Sequence, residues 1–304
     1  MKVVFIIILG ASLILNVALL IAIVTMKSPP SSTKCNDKSK ALLLANERIV
    51  GGVKVDNMNK YPFMVSLVIK KDAGLKRDAF KCGAAIITRQ WVVTAAHCFE
   101  ETPLINIQHY KIYSNSLIWW KGLIHDIKSY FVHPNFNEAF YTENDIALAK
   151  VKNPFLLKFE KPVTIAGDRY SFETNRSVTI IGWGLPYDYK AHDARPLNDL
   201  YETQVKLFDQ KYCSGLYSKD KHVRVAKTMI CAADYTGGKD ACVFDSGGPM
   251  LDKTLLIGLI SWGGVCGVAT SPGVYTRINA FNKWILHTGK RIDENFKPVF
   301  KNEP

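Results

Sequence analysis

The chain of 304 residues has few acidic residues, and this shortage gives it a strong positive charge. Asp and Glu number 27 against 39 Lys and Arg, so the formal net charge is +12. A basic surface favours acidic partners such as sulfated glycans, anionic cell surfaces or acidic proteins, and it serves solubility equally well. No nucleic-acid-binding motif accompanies the basic residues, so a nucleic acid is not the expected partner.

Cysteine is also sparse, and its spacing excludes one class of site. The seven cysteines include no Cys-x-x-Cys pair. Their spacings suit no closed zinc site. No internal repeat or low-complexity block occurs. The chain is long enough for one or two domains. Cysteines in a chain with an export signal are expected to form disulfides.

The first 26 residues indicate export. Residues 3–24 form an apolar run broken by only a few small or polar residues. A signal-peptide core usually has about 7–15 apolar residues, whereas a membrane span needs about 20. Two interpretations therefore stay open: a cleaved signal peptide of a secreted protein, or the uncleaved signal anchor of a type II single-pass membrane protein. Lys2 and Lys27 flank the run almost symmetrically, so charge barely decides its orientation. The polar residues 27–48 are interpreted as a linker or pro-segment.

Three distant segments carry the residue types of nucleophilic catalysis. Ser246 lies in an Asp-Ser-Gly-Gly-Pro run, His97 ends an apolar strand, and Asp145 heads an apolar run. A serine hydroxyl becomes a useful nucleophile when a base takes its proton and a third group orients that base. Singly, these residues are more often a turn serine, a core or metal-binding histidine, and a cap. The order His, Asp, Ser is one of the known arrangements of a catalytic triad.

With this order the chain resembles the trypsin-like (chymotrypsin-fold) serine peptidases, from residue 49 to about residue 287. The resemblance rests on these motifs: Ile49-Val50-Gly51-Gly52, Thr94-Ala95-Ala96-His97-Cys98, Asp145-Ile146-Ala147-Leu148, Gly182-Trp183-Gly184, Asp245-Ser246-Gly247-Gly248-Pro249, Ser261-Trp262-Gly263 and Pro272-Gly273-Val274-Tyr275. It implies Ser246 as nucleophile, His97 as the base that passes the proton to the leaving amine, and Asp145 as the group that orients His97.

The resemblance implies an all-β fold of two packed six-stranded antiparallel β-barrels with a C-terminal helix. The peptidase domain is expected at residues 49–290, and a polar tail without assigned function at residues 291–304. His97 and Asp145 would lie on the first barrel and Ser246 on the second, with the cleft between them. Short β runs with turn signals agree with this fold. The clearest are 63–69, 84–93, 177–183, 255–262 and 273–278, and residues 280–287 are expected to form the closing helix.

By the same resemblance, Asp240 is the floor of the specificity pocket. A carboxylate there would bind the side chain of the Arg or Lys after which the peptide is cut. With arginine it would form a bidentate pair of hydrogen bonds. Gly263 and Gly273 match the glycines of the pocket wall, and Val265 stands where glycine is common and would narrow the mouth. Alternatively, Asp240 is a solvated loop residue. Ser261, Trp262 and Gly263 would pair with the substrate backbone as an added strand, and Ser261 would also support Asp145.

An activation site is implied at the bond between Arg48 and Ile49. In the family, cleavage here frees an α-amino group, which turns inward to pair with the aspartate before the serine, Asp245. The cut would be made by a trypsin-like enzyme or by the protein itself. Alternatively, the bond is an ordinary entry into a strand.

One position departs from the family pattern. Phe244 replaces the glycine whose backbone N–H, with that of Ser246, forms the oxyanion hole. Glycine accepts backbone angles that a side chain disfavours, and a lost donor costs about 10²–10³ in rate. Two interpretations stay open: a slow or selective peptidase, or a catalytically impaired homologue that acts as a binding protein.

The resemblance implies the pairings Cys82–Cys98, Cys213–Cys231 and Cys242–Cys266, which leave Cys35 over in the pro-segment. The segment of the family's calcium loop, residues 105–121, lacks acidic residues. No metal and no cofactor are therefore expected. Asn175 begins the only glycosylation sequon. The expected partners of a monomeric peptidase are protein substrates, an activating peptidase and peptidase inhibitors.

Overall fold

The computed structural model describes residues 50–100, 105–137, 143–186, 195–218 and 223–304. The apolar run at residues 3–24, Cys35, and the Arg48–Ile49 bond lie outside these ranges. The described residues belong to one compact unit. In the described ranges, the helices are all too short or too polar to cross a lipid bilayer.

The first barrel follows a two-residue strand, β1 (Val53–Lys54). Its strands are β2 (Met64–Ile69), β3 (Ala79–Thr88), β4 (Trp91–Thr94), β5 (Tyr110–Ser114), β6 (Leu123–Val132) and β7 (Ala147–Val151). They are all antiparallel and close in the order β2–β3–β4–β7–β6–β5. The run expected at residues 84–93 is divided between β3 and β4. Polar Arg89 and Gln90 form the turn, where the Gln90 side chain donates to the carbonyl of Lys152 at 3.2 Å.

The second barrel contains the rest of the strands. These are β8 (Thr164–Ala166), β9 (Ser177–Gly182), β10 (Tyr201–Leu207), β11 (Met229–Ala233), β12 (Pro249–Asp252), β13 (Leu255–Trp262), β14 (Gly273–Arg277) and β15 (Phe300–Lys301). Six close antiparallel in the order β9–β10–β11–β14–β13–β12, because β12 pairs with both β9 and β13. The two-barrel fold predicted from the sequence is confirmed. Three strands add to the outside: β1 on β10, β8 parallel to β13, and β15 parallel to β8.

Helices are few and short among the described residues. They are α1 (His97–Glu100), α2 (Gln210–Tyr217) and α3 (Asn282–Ile292), with 3-10 turns at Met58–Lys60, Lys71–Ala73, Ile107–His109 and Ile278–Phe281. The closing helix α3 begins later and ends later than the sequence indicated. Its end at Ile292 is followed by a tail that folds back onto the barrels.

The polar tail packs as part of the fold. Phe296 is buried, with its ring edge-on to Trp91 at 5.2 Å. Asp293 pairs with the Lys150 amine at 2.8 Å. The Phe296 ring occupies the space that a side chain at Gly289 of α3 would need. These contacts and β15 fix the tail against both barrels.

Candidate active site

Asp145 and His97 form a buried pair in the first barrel. His97 is at the start of α1, and Asp145 precedes β7, which pairs with β4. An Asp145 carboxylate oxygen lies 2.8 Å from His97 Nδ1, and the other accepts the His97 backbone N–H at 3.0 Å. The Ser261 hydroxyl donates to Asp145 at 2.6 Å. These donors satisfy a carboxylate that is only 1% exposed, and such hydrogen bonds offset the cost of its burial.

One partner of Asp145 was missed by the sequence analysis. The Thr276 hydroxyl donates to the Asp145 backbone carbonyl at 2.6 Å. Thr276 is a buried polar residue of β14 in the second barrel, so this bond ties the two barrels together at the aspartate. The sequence shows Thr276 as a polar residue inside an apolar strand, but it does not indicate which group its hydroxyl contacts.

The segment of Ser246 packs against the segment that leads to His97. The Ser246 carbonyl accepts the Gly83 N–H at 2.8 Å, and the Gly83 carbonyl accepts the Thr94 hydroxyl at 2.8 Å. Gly247 has a φ of 73°, and a side chain there would overlap Thr94. Glycine is needed at this position for both the backbone angle and the close approach. The two barrels thus meet where Ser246 and His97 are located.

Disulfides brace this junction. The structure contains Cys82–Cys98, which links β3 to α1 beside His97, and Cys242–Cys266, which holds the segment before Ser246. Cys213–Cys231 links α2 to β11. The group Cys82, His97 and Cys98 is close enough to hold a metal ion. Because both sulfurs are in the disulfide, they do not offer the thiolates that a metal requires.

Phe244 adopts the backbone conformation that glycine favours. Its φ is 76°, in the left-handed region. The turn is closed by the Asp245 N–H, which donates to the Cys242 carbonyl at 3.0 Å. The partly buried Phe244 ring packs edge-on against Phe80 of the first barrel, with centroids 6.4 Å apart. The side chain is therefore accommodated without moving the backbone out of the left-handed region.

Asp240 lies in a cavity of about 190 Å³ that Ser246 also lines. Its Oδ2 accepts the Gly267 N–H at 3.0 Å, while no described residue donates to its buried Oδ1. Burial raises the pKa of this carboxyl to about 7, because desolvation disfavours its charged form. The sequence alternative of a solvated loop residue does not fit a side chain that is 2% exposed.

Glycines keep the cavity open. A side chain at Gly273 would approach Asp240 Oδ1 to 2.9 Å, and one at Gly263 would approach Gly273 across the cavity. Trp262, at the end of β13, is a further lining residue and pairs with Val274 of β14. Val265 is half exposed and is not one of the residues that line the cavity.

Asp245 points away from this cavity into the protein. Its two carboxylate oxygens accept the backbone N–H groups of Gly184, at 2.7 Å, and Cys242, at 2.9 Å. A side chain at Gly182 or Gly184 would overlap the carboxylate. Burial raises its pKa to about 7. In the part of the chain that the structure describes, no cation pairs with Asp245.

The sequence also predicted a glycosylation site and an activation bond. Asn175 is exposed in a turn before β9, with a φ of 70°, so its side chain is open to modification. The activation bond between Arg48 and Ile49 lies outside the described residues, as does Cys35.

Two closed six-stranded barrels that meet beside a serine and a buried carboxylate–imidazole pair define the chymotrypsin-like class of serine peptidases. The family model described as trypsin matches residues 49–285. A protein named trypsin from Simulium vittatum is 34% identical over 234 residues, which cover 76% of this chain and 88% of that protein. The chain therefore belongs to the trypsin family of serine endopeptidases.

Proposed function

We propose that the chain is the zymogen of an endopeptidase that hydrolyses peptide bonds after Arg or Lys. The observation that carries this proposal is the cavity shared by Asp240 and Ser246. The buried Asp240 carboxylate has one oxygen without a donor among the described residues, at the bottom of a space kept open by glycines. A guanidinium or ammonium group supplies both the missing donors and the charge that a buried carboxylate requires.

The chemistry follows from the three side chains near the barrel junction. His97 Nε2 takes the proton of the Ser246 hydroxyl as its oxygen attacks the carbonyl carbon, and later gives it to the leaving amine. Asp145, at 2.8 Å from Nδ1, holds the proton on that nitrogen, so that Nε2 carries the lone pair and acts as the base. The C–N bond breaks as the amine leaves with this proton, and the acyl group stays on Ser246 as an ester. Water, deprotonated by the same nitrogen, hydrolyses the ester, which releases the acid and returns the proton to the Ser246 oxygen.

Phe244 and Ser246 would supply the backbone N–H groups of the oxyanion hole. The left-handed φ of Phe244 supports an active enzyme, because the N–H direction depends on this angle. The second candidate is an impaired homologue that binds proteins without cleaving them. The strain of a non-glycine residue at 76° is the observation that favours it.

Activation is proposed to follow cleavage between Arg48 and Ile49. The new α-amino group would pair with Asp245, whose burial without a cationic partner among the described residues is the observation that supports this step. An opposite charge stabilises the ionised carboxylate that burial otherwise disfavours. A precursor with Arg48→Gln is expected to stay inactive, and full activity in that variant would exclude the zymogen proposal.

Export and partners complete the proposal. The protein would be secreted, or held as a type II membrane protein if residues 3–24 are not removed. Its partners would be protein substrates, an activating peptidase, peptidase inhibitors and acidic surfaces or glycans, and it would act as a monomer. Glycosylation at Asn175 is open to test by a mobility shift after expression in a secreting cell.

The test is hydrolysis by the protein cut after Arg48, compared across three substrates. We expect cleavage of peptides that end in Arg or Lys, little cleavage of those that end in Phe, and none by Ser246→Ala. The same rate after Phe as after Arg would exclude the role given to Asp240. Absence of hydrolysis, with Ile49 verified as the new N-terminus, would favour the impaired homologue.

A further inference from the structure

The turn that follows β7 exposes an unusual amount of apolar side chain. Leu156, Leu157 and Phe159, between β7 and β8, are 54%, 47% and 40% exposed. No other run of four described residues exposes more than two large apolar side chains. Single exposed apolar side chains are normal in soluble proteins, whereas contiguous ones mark interaction surfaces. We call residues 156–159 the apolar turn.

Buried polar groups inside the first barrel fix the backbone of the apolar turn. Glu160 is fully buried, and its carboxylate accepts hydrogen bonds from the Ser114 hydroxyl and the Leu156 N–H. His125 Nε2 lies 2.7 Å from the same carboxylate. The buried Phe155 ring packs on the His125 ring at 4.6 Å. Because Phe155 and Glu160 occupy the interior positions at both ends, the side chains between them remain directed outward.

The exposed charges within residues 152–161 are all positive. Lys158 and Lys161 are exposed, and no carboxylate of the described ranges pairs with either one. The Lys158 amine lies 5.2 Å from the centre of the Phe159 ring. The only carboxylate in residues 152–161 is that of Glu160, which is buried. Asp126 of β6, which lies 3.5 Å from the Lys152 amine of this loop, is also paired with Lys111 at 2.7 Å.

Apolar side chains bordered by lysines fit the interface of an anionic membrane. Such surfaces bind through apolar groups that enter the headgroup region and through basic groups that attract anionic lipids. A second copy of the chain fits less well, since a symmetric contact places the same patch on both subunits and would bring the lysines together. An acidic protein would match the charge but not the three adjacent apolar side chains that project from the surface.

We propose that the apolar turn docks the peptidase domain onto anionic lipid surfaces. Leu156, Leu157 and Phe159 enter the headgroup region, and Lys158 and Lys161 bind the anionic lipid groups. The proposal concerns a surface separate from the Asp240 cavity and does not depend on catalytic activity.

The experiment measures partition onto lipid vesicles. The full chain is folded, cut after Arg48 and separated from the N-terminal piece, so that the apolar run at residues 3–24 does not itself bind. Sedimentation with vesicles of phosphatidylcholine and 30% phosphatidylserine is compared with phosphatidylcholine alone. We expect binding to the anionic vesicles, weakened by salt. Lys158→Ala with Lys161→Ala should reduce it about 25-fold, since each basic residue near such a surface contributes about fivefold.

Matched controls distinguish binding by the apolar turn from nonspecific hydrophobic and electrostatic binding by the rest of the surface. Leu156→Ser with Leu157→Ser should abolish binding, while Val53→Ser with Ile292→Ser, which removes exposed apolar side chains elsewhere, should leave it unchanged. Lys283→Ala with Lys290→Ala on α3 is the control for charge. Unchanged melting temperatures show that the variants fold.

Three outcomes would overturn the proposal. The first is equal binding to both kinds of vesicle, and the second is equal loss of binding in the control variants. The third is dimerisation in analytical ultracentrifugation that Leu156→Ser with Leu157→Ser removes, because this would assign the apolar turn to contact between two copies.

Discussion

Replacing Phe244 by glycine is the most informative change to the proposed oxyanion hole. The backbone at Phe244 has a φ of 76°. Holding an L-residue in this region costs about 1–2 kcal/mol. The edge-on contact with Phe80 returns about 0.5–1.5 kcal/mol, the usual value of an aromatic pair. These two contributions are of similar size and opposite sign.

Two substitutions separate the strain from the packing. Phe244→Gly loses the ring contact and the strain together, so the free energy of unfolding should change by less than about 1 kcal/mol. Phe244→Ala loses the ring but keeps the strain, and should be less stable than the natural chain by about 0.5–1.5 kcal/mol. Urea denaturation measures both. Equal stability of the alanine and glycine variants would contradict the strain at this position.

The catalytic consequence is measured with two kinds of substrate. For a short peptide with only a dye beyond the cleaved bond, we expect Phe244→Gly to change kcat far less than the 10²–10³ of a lost donor. The N–H already has the direction that a left-handed residue gives it. Substrates with residues after the cleaved bond should gain more in kcat, because the Phe244 ring reaches toward the first barrel and its removal leaves room for those residues. A hundredfold rise in kcat on the short substrate would refute this reasoning.

The remaining predictions each concern a single side chain. Asp240→Asn should lower kcat/KM on Arg peptides by about 10- to 200-fold, as expected for a lost hydrogen bond to a charged group. In the natural enzyme, the affinity for an arginine-like inhibitor should rise with pH through about 7, as Asp240 ionises; a flat profile would contradict its role. Burial raises the pKa of Asp245 from 3.8 to about 7, so the folded precursor binds this proton more tightly than the unfolded chain and should lose stability as pH rises between these values. Thermal melts at several pH values should show this slope. Asp245→Asn should make it shallower, and Asp240, whose pKa burial also raises to about 7, accounts for the part that remains. A precursor whose stability rises over this range would contradict the prediction. Ser261→Ala should reduce kcat with little change in KM, because it removes a donor to Asp145, and an unchanged kcat would show that the donor is dispensable. Phe296→Ala should lower the free energy of unfolding by about 3–5 kcal/mol without changing kcat, whereas a neutral effect on stability would mean that the tail is not part of the core.

Motifs along the chain were enough to predict the fold class, because each reflects a local structural requirement that its residues alone reveal. Gly247 is an example, since its φ of 73° and its contact with Thr94 exclude a side chain. Asp145 is another, as its place before an apolar run leaves it buried and in need of donors.

Features that depend on contacts between distant segments could not be predicted. The sequence analysis assigns Phe296 to a polar tail, because its partner Trp91 is about two hundred residues away in the sequence. Glu160 and His125 pair across the first barrel, and neither stands in a recognisable motif. The sequence shows that Phe244 stands where glycine is usual, so its side chain conflicts with the expected backbone angle. The angle itself and the contact of the ring are seen only in the structure.

The central claim is that Ser246 cleaves after a basic residue bound by Asp240. Hydrolysis of Arg- and Phe-ended peptides by the chain cut after Arg48, with Ser246→Ala and Asp240→Asn alongside, tests it most directly. We expect hydrolysis after Arg that is lost in Ser246→Ala and strongly reduced in Asp240→Asn. Hydrolysis that persists in Ser246→Ala, or that prefers Phe in the natural chain, would contradict the claim.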